Sequence, residues 1–316
     1  MVILNQEMAK RLTKEQLNVL KKYVEEKSEI PIRVVYTQEH WNKIAKDPEY
    51  RLAGREIFAL KKSIGKIAKK ISEKNINIIH LGVGNGFEIP IIIDGLNACN
   101  YNIINYSIVD VNPKMLEIAE NKLRQKYSGI KIKKFIVDIE TYGIESIFND
   151  TKKEGADINV VCLLANGVLF SNDELVKKIS DNMRDGDYFF LTLELYQEGK
   201  DDEIMQPYMI QSVLDLLSNG VKIIGYEPKH GEFSAEIDKD KSMLKVYYSP
   251  NSDMTKKFVV LRSYKPTFKQ LNERMGKSGF VEVFCEEYSE THTSAGLFKK
   301  TINTAEALIT GHAIIK

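Results

Sequence analysis

The stretch Asn77-Ile78-Ile79-His80-Leu81-Gly82-Val83-Gly84-Asn85-Gly86, followed by Tyr106-Ser107-Ile108-Val109-Asp110-Val111, decides the fold of this chain. An apolar run ends in three alternating glycines, and a second apolar run ends in an acid. Glycine is needed where a tight turn demands a positive φ or where the backbone must approach a ligand closely. A carboxylate at the tip of the second strand can accept hydrogen bonds from both hydroxyls of a ribose. The pattern therefore predicts a strand–helix–strand unit that binds a nucleotide.

The spacing of the glycines indicates which nucleotide this unit binds. Dinucleotide-binding units have the pattern G-x-G-x-x-G, in which the helix N-terminus faces a pyrophosphate. Phe87 stands at the sixth position here, which disfavours a nucleotide-dependent oxidoreductase, and no lysine or arginine lies between Gly82 and Ile93. The order strand, G-x-G-x-G, helix, strand, Asp resembles the first two motifs of class I methyltransferases that use S-adenosylmethionine. Turn formation alone would also account for the three glycines.

Composition limits the class of protein without naming a function. The chain has 316 residues, 43% of them hydrophobic, enough for one large core or one core with a smaller domain. Its 45 basic and 44 acidic residues give a net charge of +1, so we expect no nucleic-acid partner. The cysteines and histidines lack metal-binding spacing, and we expect no metal. Without a signal sequence or a long apolar run, we expect a cytoplasmic protein that does not contact a membrane.

Alternating strands and helices predict a parallel sheet in the middle of the chain. Helices are predicted at about 8–28, 37–46 (capped by Thr37) and 52–74 before the first strand. Strands are predicted at 76–81, 104–110, 131–137, 157–164 and 186–195, with helices at about 88–98, 113–127, 141–153 and 172–183 between them. A helix at about 267–278 and strands at 280–288 and 294–300 would complete seven strands, the last two forming a reversed hairpin.

The alternation of strands and helices stops after Glu194, which predicts an insertion. A helix at about 201–219 and short strands at 221–227, 232–238, 242–249 and 256–263 predict a small antiparallel sheet. We therefore expect an α/β fold: a doubly wound seven-stranded class I methyltransferase sheet with a small inserted α+β substrate domain. The predicted division is an N-terminal helical segment 1–74 contributing to the cofactor and substrate pocket, a core of 75–195 plus 264–300, an inserted substrate domain 196–263 and a tail 301–316.

Two further polar residues end predicted strands of the core. Asp138 ends the third strand and Asn166 ends the fourth. Ligands of open α/β sheets bind outside the carboxyl ends of the strands, so these residues are predicted beside the glycine loop. By resemblance to methyltransferases, Asp138 would face the adenine amino group and Asn166 would border the transferred methyl. The predicted residues for S-adenosylmethionine are Gly82, Gly84, Gly86, Asp110, Asp138 and Asn166.

Several short motifs resemble the histidine Nα-methyltransferases of ergothioneine biosynthesis, over about residues 35–300. Pro48-Glu49-Tyr50 with Glu56 resembles the family's Pro-Glu-Tyr-Tyr segment and its downstream Glu. Leu163–Asn172 with Asp173-Glu174 resembles its fourth-strand motif, and Ser263-Tyr264-Lys265 its Ser-Tyr-Lys. Tyr208 matches a tyrosine that helps to hold the amino-acid substrate. The resemblance implies substrate-binding residues Tyr50, Tyr208, Ser263, Tyr264 and Phe170, and catalytic residues Asn166, Tyr208 and Tyr264.

Two departures from the family pattern argue against histidine as the substrate. The family has an acid, which binds imidazole, where this chain has Leu261, and an asparagine near the position of Phe170. An unmade buried hydrogen bond costs about 1–3 kcal/mol. We therefore expect N-methylation of another amino acid or small amine, one with an apolar or aromatic side chain. A peptide or protein methyltransferase, or a non-catalytic S-adenosylmethionine-binding protein, remains as an alternative, and the sequence does not indicate an oligomeric state.

Overall fold

The computed structural model describes residues 4–5, 9–10, 12–31, 36–140, 143–151, 155–164, 167–171, 173–252 and 255–302. Two compact units are present in the chain. The smaller unit consists of Met1–Leu52 and Tyr196–Lys265, and the larger of Ala53–Leu195 and Pro266–Lys316. The predicted tail falls almost entirely on residues 303–316, which lie outside the described residues.

The helices and strands follow one another in the order that the sequence pattern indicates for most of the chain. The helices are α1 Lys14–Lys27, α2 Gln38–Lys46, α3 Leu52–Ala68, α4 Ile89–Asn97, α5 Pro113–Lys126, α6 Ile144–Thr151, α7 Gly167–Phe170, α8 Asp173–Asn182, α9 Asp201–Met205, α10 Gln211–Ile223 and α11 Phe268–Lys277. The strands are β1 Asn75–Leu81, β2 Asn102–Asp110, β3 Lys131–Ile136, β4 Ile158–Leu163, β5 Tyr188–Glu194, β6 Phe233–Asp238, β7 Met243–Tyr248, β8 Phe258–Tyr264, β9 Phe280–Tyr288 and β10 Thr293–Lys300.

The larger unit is built on a seven-stranded sheet of order β3-β2-β1-β4-β5-β10-β9. β10 is antiparallel to β5 and β9, and the pairs among β1 to β5 are parallel. The chain moves outward in one direction from β1 to β3 and in the other from β4 to β5. The topological switch point therefore lies between β1 and β4, where open α/β sheets bind ligands. This architecture confirms the predicted doubly wound α/β sheet with a reversed final hairpin.

Helices cover both faces of this sheet because successive side chains of a strand point to opposite sides. Against one face, α3, α4 and α5 bury apolar stripes on residues such as Ile78, Tyr106 and Phe190. Phe189 points to the opposite face, where its ring stacks on Phe170 and Phe280. Each fully buried side chain of this size contributes about 1.5–3 kcal/mol of hydrophobic free energy. The sheet is thus a buried middle layer whose carboxyl edge, the edge where β1 to β5 end, is available for a site.

A row of buried polar side chains crosses the sheet on the same face as Phe189. Asn105 donates to Asn77 over 2.8 Å, Asn77 to Asn159 over 3.2 Å, and Asn159 to the Asp187 carboxylate over 3.0 Å. Asn77 of β1 is the register partner of both Asn105 in β2 and Asn159 in β4. We name these four residues the asparagine row. A slip of one residue would place these amides on the other face, so the row fixes the register of three strands.

Local capping explains where several helices begin. Thr37 accepts a hydrogen bond from the backbone of His40, which confirms its predicted role as the cap of α2. Asn112 caps α5, and Pro113 occupies its first turn, where a missing N–H costs nothing. α3 ends at Ala68 rather than near residue 74 as the sequence analysis predicts. The Ala68 and Ile71 carbonyls both accept a hydrogen bond from the Tyr101 hydroxyl, which holds the chain in a turn there.

The smaller unit contains the antiparallel sheet β6-β7-β8. The residues that follow α1 form backbone hydrogen bonds with β8. The Ile30 N–H donates to Val259 O at 2.8 Å, and the Val259 N–H donates to Ser28 O at 2.9 Å. α10 buries an apolar stripe in the same core as the inner residues of the sheet. The α+β character predicted for the insertion is therefore present, within a unit that also includes the first 52 residues.

Two predictions for the insertion are wrong. Residues 221–227 form no strand. The first three of them are instead the end of α10, because Val221 continues the helical spacing of Val213 and Leu217 on the buried side. The predicted single helix at 201–219 is interrupted by Pro207, which cannot donate a backbone hydrogen bond and lies in a 3-10 turn between α9 and α10. Among the described residues, no helix is long and apolar enough to cross a membrane.

Candidate functional site

The three glycines form the loop between β1 and α4 at the carboxyl edge. Gly82, Gly84 and Gly86 all have a positive φ, of 63°, 53° and 68°. The Val83 N–H donates to Val109 O at 3.0 Å, and the Gly86 N–H donates to Val83 O at 3.0 Å. The first bond holds the loop against the end of β2, and the second closes a turn within the loop.

Gly84 and Gly86 differ in what surrounds them. A Cβ on Gly84 would meet no atom within 4 Å, so open space lies in front of the loop at this point. A Cβ on Gly86 would lie 2.6 Å from Ile89 Cδ1 and 3.2 Å from the Ala119 backbone of α5. Gly84 therefore provides a cradle that a ligand could fill, and Gly86 allows α4 and α5 to approach each other.

This difference predicts that alanine at Gly86 mainly lowers stability, whereas alanine at Gly84 mainly weakens ligand binding. A left-handed alanine costs about 1–2 kcal/mol. Gly86→Ala adds an overlap with Ile89 Cδ1 at 2.6 Å and a tight contact with the α5 backbone at 3.2 Å, so we expect a total loss of about 2–4 kcal/mol. Gly84→Ala should cost no more than about 1–2 kcal/mol of stability, while its methyl occupies the cradle and weakens S-adenosylhomocysteine binding. Thermal unfolding without ligand and calorimetric titration separate the two effects. Equal affinity of Gly84→Ala and the wild type would show that no ligand approaches the loop there.

Asp110 ends β2 beside the glycine loop and is 9% exposed. Its Oδ2 accepts the Gly84 N–H at 2.9 Å, and its Oδ1 accepts the Asn112 N–H at 2.8 Å. Burial raises the pKa of this carboxyl, and the hydrogen bonds from the backbone at Asn112, Gly84 and Val111 oppose the rise. Because a carboxylate offers about four acceptor positions, Asp110 can hold the loop and still accept hydrogen bonds from a ligand.

Asp138 follows β3 at the same edge of the sheet. Its Oδ1 accepts the Glu140 N–H at 3.2 Å, and the adjacent Val137 N–H donates to Asp110 O at 3.1 Å. The structure thus brings the ends of β2 and β3 together, and the adenine role of Asp138 stays a prediction. Asn166, predicted at the end of β4, lies outside the described residues.

Exposed apolar residues flank this edge and were missed by the sequence analysis. Phe87, directly after the glycine loop, is 59% exposed, and Ile136 at the end of β3 is 61% exposed. Ile136 is the register partner of Asp110. Their exposure depends on the packing of helices around them, so no local pattern could have identified them. An aromatic base could pack against such residues.

Phe170, a predicted substrate residue, and His80 of β1 both lie within the core. Phe170 is buried, with the Arg274 guanidinium 4.7 Å from its ring centroid. His80 is buried with Nδ1 3.0 Å from the Tyr106 hydroxyl, and burial lowers its pKa to about 3, so it is neutral. The substrate role of Phe170 stays a prediction, and its burial favours packing. In the described part of the chain, no three His, Cys, Asp or Glu side chains could hold a metal ion.

In the smaller unit, two of the predicted substrate residues are in contact. The Tyr208 hydroxyl lies 3.0 Å from the Ser263 hydroxyl, and both residues are buried. The Lys265 ammonium lies 5.1 Å from the centre of the Tyr208 ring. Leu261, two residues before Ser263 on β8, points to the same face of the strand and is 6% exposed. Tyr208, Leu261, Ser263 and Lys265 are named the Tyr208 cluster below.

The two remaining predicted substrate residues of the smaller unit, Tyr50 and Tyr264, are not in this cluster. Tyr264 follows Ser263 on β8 and points to the opposite face by the alternation of the strand. The Tyr50 ring packs edge-on against Trp41 of α2 with the centroids 6.1 Å apart. Their substrate roles stay predictions.

An ion pair at the end of β5 was also missed by the sequence analysis. Arg55 Nη1 in the first turn of α3 lies 3.1 Å from Glu194 Oε1, the last residue of β5. The Glu194 side chain has no exposed area, and the Arg55 side chain is 17% exposed. The two residues are 139 positions apart, so no sequence spacing relates them.

Comparison with known proteins gave one family match. The model of a family described as "Histidine-specific methyltransferase, SAM-dependent" matches residues 12–257, more than half of the chain. Comparison with curated proteins gave no match.

The fold is also similar to that of solved structures. A S-adenosylmethionine-dependent methyltransferase from Clostridium acetobutylicum ATCC 824 is 14% identical, with 82% of this chain and 94% of that chain covered and a TM-score of 0.47. The CcbJ methyltransferase from Streptomyces caelestis is 10% identical, with 87% and 98% covered and a TM-score of 0.45. At this level of identity the likeness carries no information about the substrate.

Proposed function

Because the chain belongs to the family of histidine-specific, S-adenosylmethionine-dependent methyltransferases, we propose that it N-methylates an amino acid or small amine other than histidine. The chain is a methyltransferase that uses S-adenosylmethionine. The observation that carries the choice of acceptor is the buried Leu261 on the same face as Ser263, whose hydroxyl lies 3.0 Å from that of Tyr208.

The residues of the glycine loop fit the cofactor. The open space at Gly84 accepts a bulky group close to the backbone, and the loop has no basic residue because this cofactor has no phosphate. We assign the binding of the ribose hydroxyls to Asp110 and the binding of the adenine amino group to Asp138. Asn166 is assigned a place beside the transferred methyl group. Gly82, Gly84 and Gly86 form the loop itself. S-adenosylmethionine supplies a methyl group already activated by a sulfonium, so the protein needs no further activation of the donor.

The acceptor substrate must be held in a fixed orientation, and its amine must be uncharged. We assign the binding of the acceptor to the Tyr208 cluster, where two neighbouring hydroxyls can donate to or accept from polar groups of the substrate. Orienting the substrate is the main contribution that these residues can make to the rate. Water exclusion by the buried cluster favours the uncharged amine, because desolvation lowers the pKa of an ammonium. Tyr50 and Tyr264 are assigned supporting roles around the acceptor.

Leu261 determines the side chain that the cluster accepts. In the resembled family an acid at this position binds the imidazole N–H, and a leucine leaves that group without an acceptor. A buried donor without a partner costs about 1–3 kcal/mol, which corresponds to a factor of about 5–150 in affinity. An apolar or aromatic side chain has no such group and gains from contact with Leu261. Histidine is therefore disfavoured relative to residues such as leucine or phenylalanine.

Leu261→Glu is expected to increase kcat/KM for histidine by about 5-fold to 150-fold and to decrease it for apolar acceptors, because it restores an acceptor for the imidazole. The measurement is formation of S-adenosylhomocysteine with each amino acid. Leu261→Gln is the matched control, because it is polar and of similar size but carries no charge, and it should gain less. Thermal unfolding of both variants checks that the substitution is tolerated. If Leu261→Glu folds and gains no histidine activity, Leu261 does not contact the acceptor side chain.

The proposal itself is tested by presenting the wild-type protein with S-adenosylmethionine and a panel of free amino acids, small amines and short peptides. Product formation with an apolar or aromatic amino acid supports it. Preferred methylation of histidine would overturn the assignment of Leu261. Preferred methylation of peptides would favour a peptide or protein methyltransferase, and binding of the cofactor without turnover on any acceptor would favour a non-catalytic binding protein.

A further inference from the structure

The Arg55–Glu194 ion pair lies at the carboxyl edge of the sheet, the same edge as the glycine loop. Glu194 is the last residue of β5. α3 runs from this edge to the opposite one, because its last residue, Ala68, accepts a hydrogen bond from Tyr101 directly before β2 begins. The first turn of α3, which contains Arg55, therefore lies where β1 to β5 end. Open α/β sheets bind ligands at this edge.

The chemistry of Arg55 suits a carboxylate. A guanidinium has five N–H donors in a planar fork that matches carboxylate geometry. Within the described part of the chain, Arg55 donates one side-chain hydrogen bond, through Nη1 to Glu194. The Arg55 side chain is partly exposed whereas Glu194 is fully buried, so a ligand can reach the arginine and not the glutamate.

We propose that Arg55 binds the carboxylate at the amino-acid end of S-adenosylmethionine, and that Glu194 is a positioning residue that holds the guanidinium in place. The inference rests on the proposed binding of the ribose at Asp110. Asp110 ends β2, and β5 lies three strand spacings away, about 14 Å. A cofactor whose ribose is held at Asp110 would reach β5 by extending across the switch point. The adenosine end and the amino-acid end are then held by different strands of one sheet.

Charge supports this assignment. A carboxylate that leaves water for a partly buried site needs a cationic partner. The loop between Gly82 and Ile93 has no lysine or arginine to provide one, and α3 provides Arg55 at the same edge.

The test compares two ligands that differ only in the carboxylate: S-adenosylmethionine and decarboxylated S-adenosylmethionine. Calorimetric titration gives the ratio of their affinities for the wild type and for Arg55→Gln, Arg55→Lys and Glu194→Gln. We expect the wild type to prefer the carboxylated ligand at least about tenfold, since a hydrogen bond to a charged group contributes that much or more. Arg55→Gln should abolish the preference, and Arg55→Lys should keep part of it because the charge remains without the fork. Glu194→Gln should reduce the preference through the loss of orientation.

Lys66→Gln is the matched control on the same helix. Lys66 pairs with Glu286 at 2.6 Å on the surface, further along α3, and its loss should leave the affinity ratio unchanged. Affinity for the decarboxylated ligand reports folding in every variant. An unchanged ratio in a folded Arg55→Gln would overturn the proposal, as would an equal loss of affinity for both ligands. If the wild type binds neither ligand, the proposed cofactor site is wrong as well. That result differs from binding of both ligands without a preference, which would contradict the role of Arg55 alone.

Discussion

Asp110→Ala is expected to lower the affinity for S-adenosylhomocysteine by about 100-fold or more. A carboxylate that accepts two ribose hydroxyls contributes about 1.5–3 kcal/mol for each charge-assisted hydrogen bond, and every 1.4 kcal/mol is a factor of ten. Alanine also releases the Gly84 N–H that the carboxylate holds at 2.9 Å. The loop would then have to be ordered by the ligand, which costs further affinity. Calorimetric titration of the purified variant measures the effect.

Two further variants separate charge from structure. Asp110→Asn keeps the size and one acceptor oxygen, and we expect an intermediate loss of affinity. Asp94→Asn removes an exposed carboxylate of α4 that pairs with Lys126 at 2.7 Å, and it should not change the affinity. Circular dichroism would show that each variant is folded. An Asp110→Ala protein that is folded and binds S-adenosylhomocysteine like the wild type would remove Asp110 from the site.

Features encoded by neighbouring residues could be predicted from the sequence. The glycine loop, the acid that ends β2 and the seven strands all follow from apolar runs, turn residues and the length of the helices between them. The conformation of Gly84 and Gly86 follows from the same local pattern. Their different roles do not, because the contact that distinguishes them is made with Ala119, on another helix.

Other features depend on residues far apart in the chain. Arg55 and Glu194 are 139 positions apart in the sequence, and the first 52 residues belong to one unit with the insertion. The apolar residues at 221–227 fit a short strand as well as a helix end, and only packing against the core selects the helix. For the same reason, the acceptor cannot be derived from the position of Leu261 in the sequence alone. Its neighbours on the strand face and on the 3-10 turn have to be known.

The asparagine row also depends on residues far apart in the chain, because in the sequence its members are only polar interruptions of apolar strands. Asn77→Ala is expected to destabilise the larger unit by about 3 kcal/mol or more, and to lower its thermal midpoint by roughly 6–12 °C. The substitution leaves the Asn105 amide, the Asn159 carbonyl oxygen and the Thr151 carbonyl without the partner they have in the wild type. Each buried group that loses its partner costs about 1–3 kcal/mol. Differential scanning calorimetry measures the change.

Asn102→Ala provides a matched control on the same two strands. Asn102 donates to Asn75 at 2.9 Å, again between register partners of β1 and β2, but this pair is exposed to water. Water replaces the lost partner there, so we expect a loss of no more than about 0.5–1 kcal/mol. Asn77→Ala combined with Asn105→Ala should cost less than the sum of the single substitutions, because the second removes a group that the first leaves without a partner. Equal losses for the buried and exposed asparagines would show that the row does not hold the strands in register.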